Sequence, residues 1–270
     1  MKLVARGKLS VGLSVLFFLS GVAQSLVEAE PSLSADEVIQ KAVARAQRAP
    51  ARFGPKGYTY TKLTVTEELD ATGKIKERKE RVYEVLFRSG ETYLKLLQIN
   101  GRPTGDTEMK NQSENQLKLG QLLGQPKAGK GDNRENFLTP DLVARFDFTL
   151  AGQSSLNGRP TYQIAFRPRT PEPSVHHILD RLLNRISGTL WIDAQEFEIA
   201  QADIQLRSEV DLLWGVAGSL KKMAFTLVRT RVADGVWFNT SSKGDFEGRK
   251  LLDSTRIKTR SRSTNFRPLA

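Results

Sequence analysis

The chain has no cysteine and only two histidines, His176 and His177, in 270 residues. Without cysteine there is no disulfide staple, no thiolate nucleophile, no acylated cysteine of the lipoprotein type and no cysteine-based metal site. The two histidines are neighbours, so their side chains diverge on a helix or a strand and do not converge on one metal. A Gly-x-Ser-x-Gly elbow and a phosphate loop are also missing, and Gly129-Lys130-Gly131 lacks the spacing of the latter. Adjacent carboxylates such as Glu67 and Glu68 face opposite sides of a strand, which is not acid–base geometry. These absences argue against an enzyme, and nothing in the residues asks for a metal or a cofactor.

Long apolar runs are missing beyond the N-terminus. There Lys2, Arg6 and Lys8 precede an uncharged apolar stretch over residues 11–22, which ends in the small-residue pattern Gly21-Val22-Ala23. Basic residues, a short apolar core and small residues, in that order, make a secretory signal whose core is too short to span a bilayer comfortably. Cleavage is expected after Ala23, with Ala29 as the second candidate. Residues 1–23 are therefore read as a signal peptide and residues 24–270 as a single domain in the periplasm of a bacterial-type cell. With no disulfides, that domain must be held by one large core. Acidic residues are outnumbered 30 to 41, for a net charge of +11, and loss of Lys2, Arg6 and Lys8 leaves +8. A basic surface outside the cytoplasm suits an anionic membrane surface or the acidic face of an envelope protein. No nucleic-acid motif is present.

Ser34, followed three residues later by Glu37, forms a capping box, and Val38, Ile39, Ala42, Val43 and Ala46 follow at helical spacing. A helix is expected to about Arg48, stopped by Pro50 and Pro55. From Tyr58 the period drops to two and turn residues recur: strands over 58–65, 74–88 and 93–99 are separated by Asp70 to Gly73, Ser89-Gly90 and Asn100-Gly101. Residues 104–136 lose the strand period. Leu117, Leu119, Leu122 and Leu123 point to a weakly amphipathic helix ending at Gly124, and the glycine- and lysine-rich loop 125–132 follows.

Strands resume with Phe146, Phe148 and Leu150, turn at Asn157-Gly158 and return through Tyr162, Ile164 and Phe166. A second insertion carries Val175, Ile178, Leu179, Leu182 and Leu183 at helical spacing. Strands are then expected over 188–193, 197–206, 210–219, 222–232, 236–242 and 249–266. Asp234-Gly235 supplies a two-residue hairpin turn in which both residues take positive φ. The total is ten or eleven antiparallel strands with helical insertions, a mainly β fold of the α+β kind.

The run Gly188-Thr189-Leu190-Trp191-Ile192-Asp193, with Phe197, the hairpin strands and Asp234-Gly235-Val236-Trp237, resembles exported proteins of the outer-membrane lipoprotein-sorting (LolA/LolB-like) superfamily. The resemblance implies an N-terminal helix followed by a strongly curved, incompletely closed antiparallel barrel, with inserted helices over its concave face. It also implies a lipid or acylated lipoprotein as cargo.

In such a sheet alternation turns every second side chain inward. Phe146 and Phe148, Tyr162, Ile164 and Phe166, and Met223, Phe225 and Leu227 are alternating apolar sets, and Trp191 and Trp214 suit the mouth of a greasy groove. These ten residues are core if the helices pack tightly, or the lining of an acyl-chain cleft if the helices move aside. The function expected is a periplasmic lipid- or lipoprotein-binding carrier; the alternative is an envelope protein-interaction or sensory module without lipid cargo. Arg256, Lys258, Arg260 and Arg262 share one face of the last strand, a pattern expected at a sheet edge or an outward face.

Overall fold

The computed structural model describes residues 33–48, 57–88, 91–105, 108, 138–176, 178–211, 218–250 and 253–269. The expected signal peptide, the helix and loop over 109–132, His177 and Trp214 with most of its strand lie outside the described residues.

The fold opens with helix α1, Ala35–Arg48. Its capping box forms as read: Ser34 Oγ accepts from the Glu37 N–H at 3.3 Å, and the Glu37 carboxylate accepts from the Ser34 N–H at 2.8 Å and hydroxyl at 2.7 Å. These bonds hold the Glu37 carboxyl below its usual range. Strands β1 (Tyr58–Leu69), β2 (Ile75–Arg88), β3 (Glu91–Ile99) and the two-residue β4 (Arg102–Pro103) follow as hairpins. Next comes α2, Pro140–Val143, a one-turn helix that the periodicity did not reveal. Thr139 caps it by accepting from the Leu142 N–H, and Pro140 opens its first turn. Strands β5 (Phe146–Leu156) and β6 (Arg159–Pro168) meet at Asn157-Gly158, both with positive φ. Helix α3, Ile178–Leu183, is the short helix expected in the second insertion, and Val175 lies outside it. The chain ends in β7 (Ile186–Asp193), β8 (Ile199–Leu206), the short β9 (Val210–Asp211), β10 (Ser219–Ala233), β11 (Val236–Lys250) and β12 (Asp253–Pro268).

All twelve strands join one antiparallel sheet in the order β4-β3-β2-β1-β12-β11-β10-β8-β7-β6-β5, with β9 attached to β10. Among the described residues the two ends, β4 and β5, are not joined, so the sheet is an incomplete barrel. Pairing of β1 with β12 along nearly their whole length brings the first and last strands to its middle.

Two expectations are refined. Of the two places expected for the basic row of β12, the edge is excluded and the outward face remains, because β12 lies between β1 and β11. Its charges are tolerated there because acids face them across the ladder: Arg260 pairs with Glu67 of β1 at 3.0 Å, and Arg256 grips Asp245 of β11 at 2.8 and 3.1 Å. That grip lowers the Asp245 pKa. In the β10–β11 hairpin only Gly235 takes positive φ. Arg231 holds the Asp234 carboxylate, and a register shift between Arg231 and Ala233 absorbs the altered turn.

The main core lies under α1. Val38, Ile39 and Ala42 of the helix meet Phe146, Ile164, Phe166, Ile186, Leu190, Ile192 and Ala202, with Leu142 and Val143 of α2 and Leu182 and Leu183 of α3 at its margin. A smaller aromatic cluster joins Tyr58, Tyr60, Phe238 and Phe266, with ring centroids 4.6–5.4 Å apart.

Candidate functional site

Directly opposed residues in a ladder share a face, so the register sorts the side chains. On the face under α1, here the inner face, Leu150, Ile164, Leu190, Ala202 and Leu227 form one row from β5 to β10. The same row continues through Ser242, Ser261 and Thr64 to Arg81 on β2. The neighbouring row runs Phe148, Phe166, Gly188, Ile204 and Phe225, then Gly244, Thr259 and Thr66, and ends at Lys79. Each row is apolar over β5 to β10, carries hydroxyls or glycine over β11, β12 and β1, and is cationic on β2.

Gly188 is required in its row. A Cβ there would stand 1.9 Å from the Asp203 carbonyl oxygen and 2.9 Å from the Phe166 ring, so the absence of a side chain lets Phe166 lie against the sheet. Gly244 is similar, because the Phe246 ring occupies the space its Cβ would need, at 2.3 Å.

Of the residues expected to line a cleft, Phe146, Ile164 and Phe166 are buried core beneath α1. Phe148, Tyr162, Met223 and Leu227 are half-buried at the margin of that core, and Phe225 is half-buried on the same face. The structure thus brings eight of them onto one face. Trp191 is not among them: it opposes Gln163 and Gln201 and belongs to the outer face. Alternation puts it opposite to Leu190 and Ile192, and because all three residues are apolar their sequence did not say which faced inward. Trp214 lies outside the described residues.

The polar part of the inner face has its own partners. Ser242 and Ser261 share a hydrogen bond of 2.7 Å. Lys79 contacts Glu77 at 2.5 Å, and Lys76 contacts Glu68 at 3.0 Å. Arg81 has no carboxylate within ion-pair distance among the described residues. Burial raises the Tyr83 pKa on this strand, and the charge of Arg81 partly opposes the rise.

Sequence reading missed a charged cluster at one end of the sheet. Asp193, fully buried, accepts from Arg159 at 2.6 and 2.9 Å and caps the β7–β8 turn by accepting from the Gln195 and Glu196 N–H groups. Glu196 accepts from Trp237 Nε1 at 2.7 Å and from Arg231 at 2.5 Å. Glu198 pairs with Arg229 at 2.7 Å and with Arg45 of α1 at 3.5 Å, while Arg45 also donates to the Gly235 carbonyl at 2.7 Å. The residues that carried the family resemblance, Asp193 and Trp237, thus meet through Glu196 and hold the hairpins and the helix end together. Burial pushes the Asp193 pKa up, but the bonds from Arg159 and the turn amides outweigh it and leave the pKa below the usual carboxylate value.

Among the described residues no three of His, Asp and Glu stand together as metal ligands, and no helix is long and apolar enough to cross a membrane.

No family model and no curated protein sequence matches the chain. Among solved structures it is similar to a DUF1329 family protein from Desulfovibrio piger, at 12% identity over 87% of this chain and 92% of that chain, with a TM-score of 0.35. It is also similar to a LolA superfamily protein from Nitrosomonas europaea, at 9% identity over 88% and 95%, TM-score 0.31. An outer membrane lipoprotein-sorting protein domain from Vibrio parahaemolyticus is similar at 10% identity over 86% and 94%, TM-score 0.33. The fold described above stands on its own strand pairing.

Proposed function

We propose that the chain is exported, loses residues 1–23 and works in the periplasm as a single-domain carrier that holds a lipid, or the acyl chains of a lipoprotein, on the inner face of its open sheet. The supporting observation is the apolar strip of β10. Phe225 and Leu227 continue the inner-face rows from the core under α1, yet remain half-buried where those rows turn polar, and half-buried Met223 lies beside them in a row that stays apolar through Phe246 and Ile257. An acyl chain laid there extends an existing core, at about 0.8 kcal/mol for each methylene removed from water. The function is binding and release without turnover.

Native mass spectrometry with lipid extraction, on protein exported by its host and purified without detergent, tests this reading. Bound lipid, or uptake of an added lipid that Phe225→Glu abolishes while the thermal transition is retained, is the expected result. A protein that arrives empty and takes up no lipid would overturn the carrier reading in favour of a protein-interaction module.

A further inference from the structure

On the inner face the rows through Leu227 and Phe225 cross three strands, β11, β12 and β1, before they reach Arg81 and Lys79, and there they carry Ser242, Ser261 and Thr64, or Gly244, Thr259 and Thr66; the next row, through Met223, carries Phe246, Ile257 and Glu68. Four strand spacings separate the backbones of Leu227 and Arg81, about 19 Å. An extended arginine reaches about 7 Å of that, which leaves a polar interval too wide for a phosphate joined directly to glycerol and suited to a sugar ring. Thr64, Thr66, Thr259 and Ser261 offer hydroxyls that donate and accept, as a sugar's hydroxyls require. Beyond them Arg81 has no carboxylate within ion-pair distance among the described residues, although its charge, after the contact from Lys79, helps to lower the Glu77 pKa.

We propose that the cargo is a phosphorylated glycolipid, with its acyl chains on the β10 strip, its sugar across the hydroxyls of β1 and β12, and its phosphate at Arg81, assisted by Lys79. This rests on the carrier reading above and gives it a headgroup. Arginine suits the phosphate end, because its planar guanidinium bonds two phosphate oxygens at once.

The test compares three probes on the mature protein by native mass spectrometry and fluorescence competition: 2,3-diacylglucosamine 1-phosphate, the same compound after phosphatase treatment, and a phosphatidic acid with the same acyl chains. The phosphorylated glycolipid is expected to bind at least tenfold more tightly than either of the others. Arg81→Gln with Lys79→Gln should remove its advantage over the dephosphorylated compound while leaving binding of the latter unchanged. Thr66→Val with Thr259→Val should weaken both sugar lipids and spare the phosphatidic acid. Inorganic phosphate at the same concentration should not compete. Equal binding of all three probes, an advantage that survives the Arg81 and Lys79 substitutions, or competition by phosphate alone would overturn the headgroup assignment while the carrier reading stands. Failure of every probe to bind would overturn both.

Discussion

The inner face has two halves built from the same register and opposite chemistry. From β5 to β8 its residues are large and apolar, and α1 seals them with Val38, Ile39 and Ala42. From β11 to β2 the same rows carry Ser242, Ser261, Thr64 and finally Arg81, and the core under α1 includes none of these strands. A sheet needs burial on one face to hold together, and the first half supplies it. The second half is held by long ladders, by cross-strand pairs such as Arg260–Glu67 and Arg256–Asp245 on its outer face, by the aromatic cluster around Phe238, and by its own buried Val65, Leu69, Val85 and Leu96. Within that half Thr64, Thr66, Thr259 and Ser261 are only half-buried, so these positions are the ones open to choice for a ligand.

The sharpest way to break this comparison is to put the same charge at two positions of one row. Ile164→Asp places an unpaired carboxylate in a fully buried site and should cost more than about 4 kcal/mol or prevent folding. Thr64→Asp, in the other half of that row, should cost less than about 1 kcal/mol. Urea denaturation of both variants measures the contrast, and similar losses would show that the hydroxyl half is core as well.

The charged cluster joins α1 to the hairpins at the end of the sheet, and the next largest effect is expected there. Asp193→Ala leaves Arg159 without its buried partner and should cost about 3 kcal/mol at neutral pH. Since the folded Asp193 pKa lies below its unfolded value, its contribution is complete above the ordinary carboxylate pKa of about 4 and is lost as pH falls through the folded value. Denaturation midpoints at pH 7 and pH 3 should therefore differ less in the Asp193→Ala variant than in the parent. An unchanged difference would assign the acid sensitivity to other carboxylates.

Smaller effects refine the picture. Ser34→Ala removes the capping box of the sealing helix and should cost about 1 kcal/mol by thermal or chemical denaturation. Thr259→Val, at the centre of the hydroxyl half, should change stability by no more than about 0.5 kcal/mol. A larger loss would mean that this hydroxyl is a structural partner.

Local pattern carried some of this and could not carry the rest. The capping box fixed the start of α1, and the period-two sets around Phe148, Ile164 and Phe225 showed which residues of each strand share a face, whereas only the ladder shows that the three sets face the same way. The Asn157-Gly158 turn was legible for the same reason. Partners distant in sequence were not. Pairing of Val65 with Arg260 joins residues 195 apart, and no local signal marks it, so the basic row of β12 read equally as an edge or an outward face until the ladder showed Glu67 and Asp245 on either side. Trp191 lacked polar neighbours to betray its side. Asp193 and Trp237 were recognisable as a motif, but only the folded chain shows that they meet through Glu196 and that their role is architectural.

The most direct test of the central claim is where a bound acyl chain lies. A phospholipid with a diazirine in its acyl chain, loaded onto the mature protein and photolysed, should label β10 at Met223, Phe225 or Leu227 and leave the outer-face peptide containing Trp191 unlabelled. Labelling at Trp191 with none on β10, or no label at all after loading, would contradict an acyl chain held on the inner face.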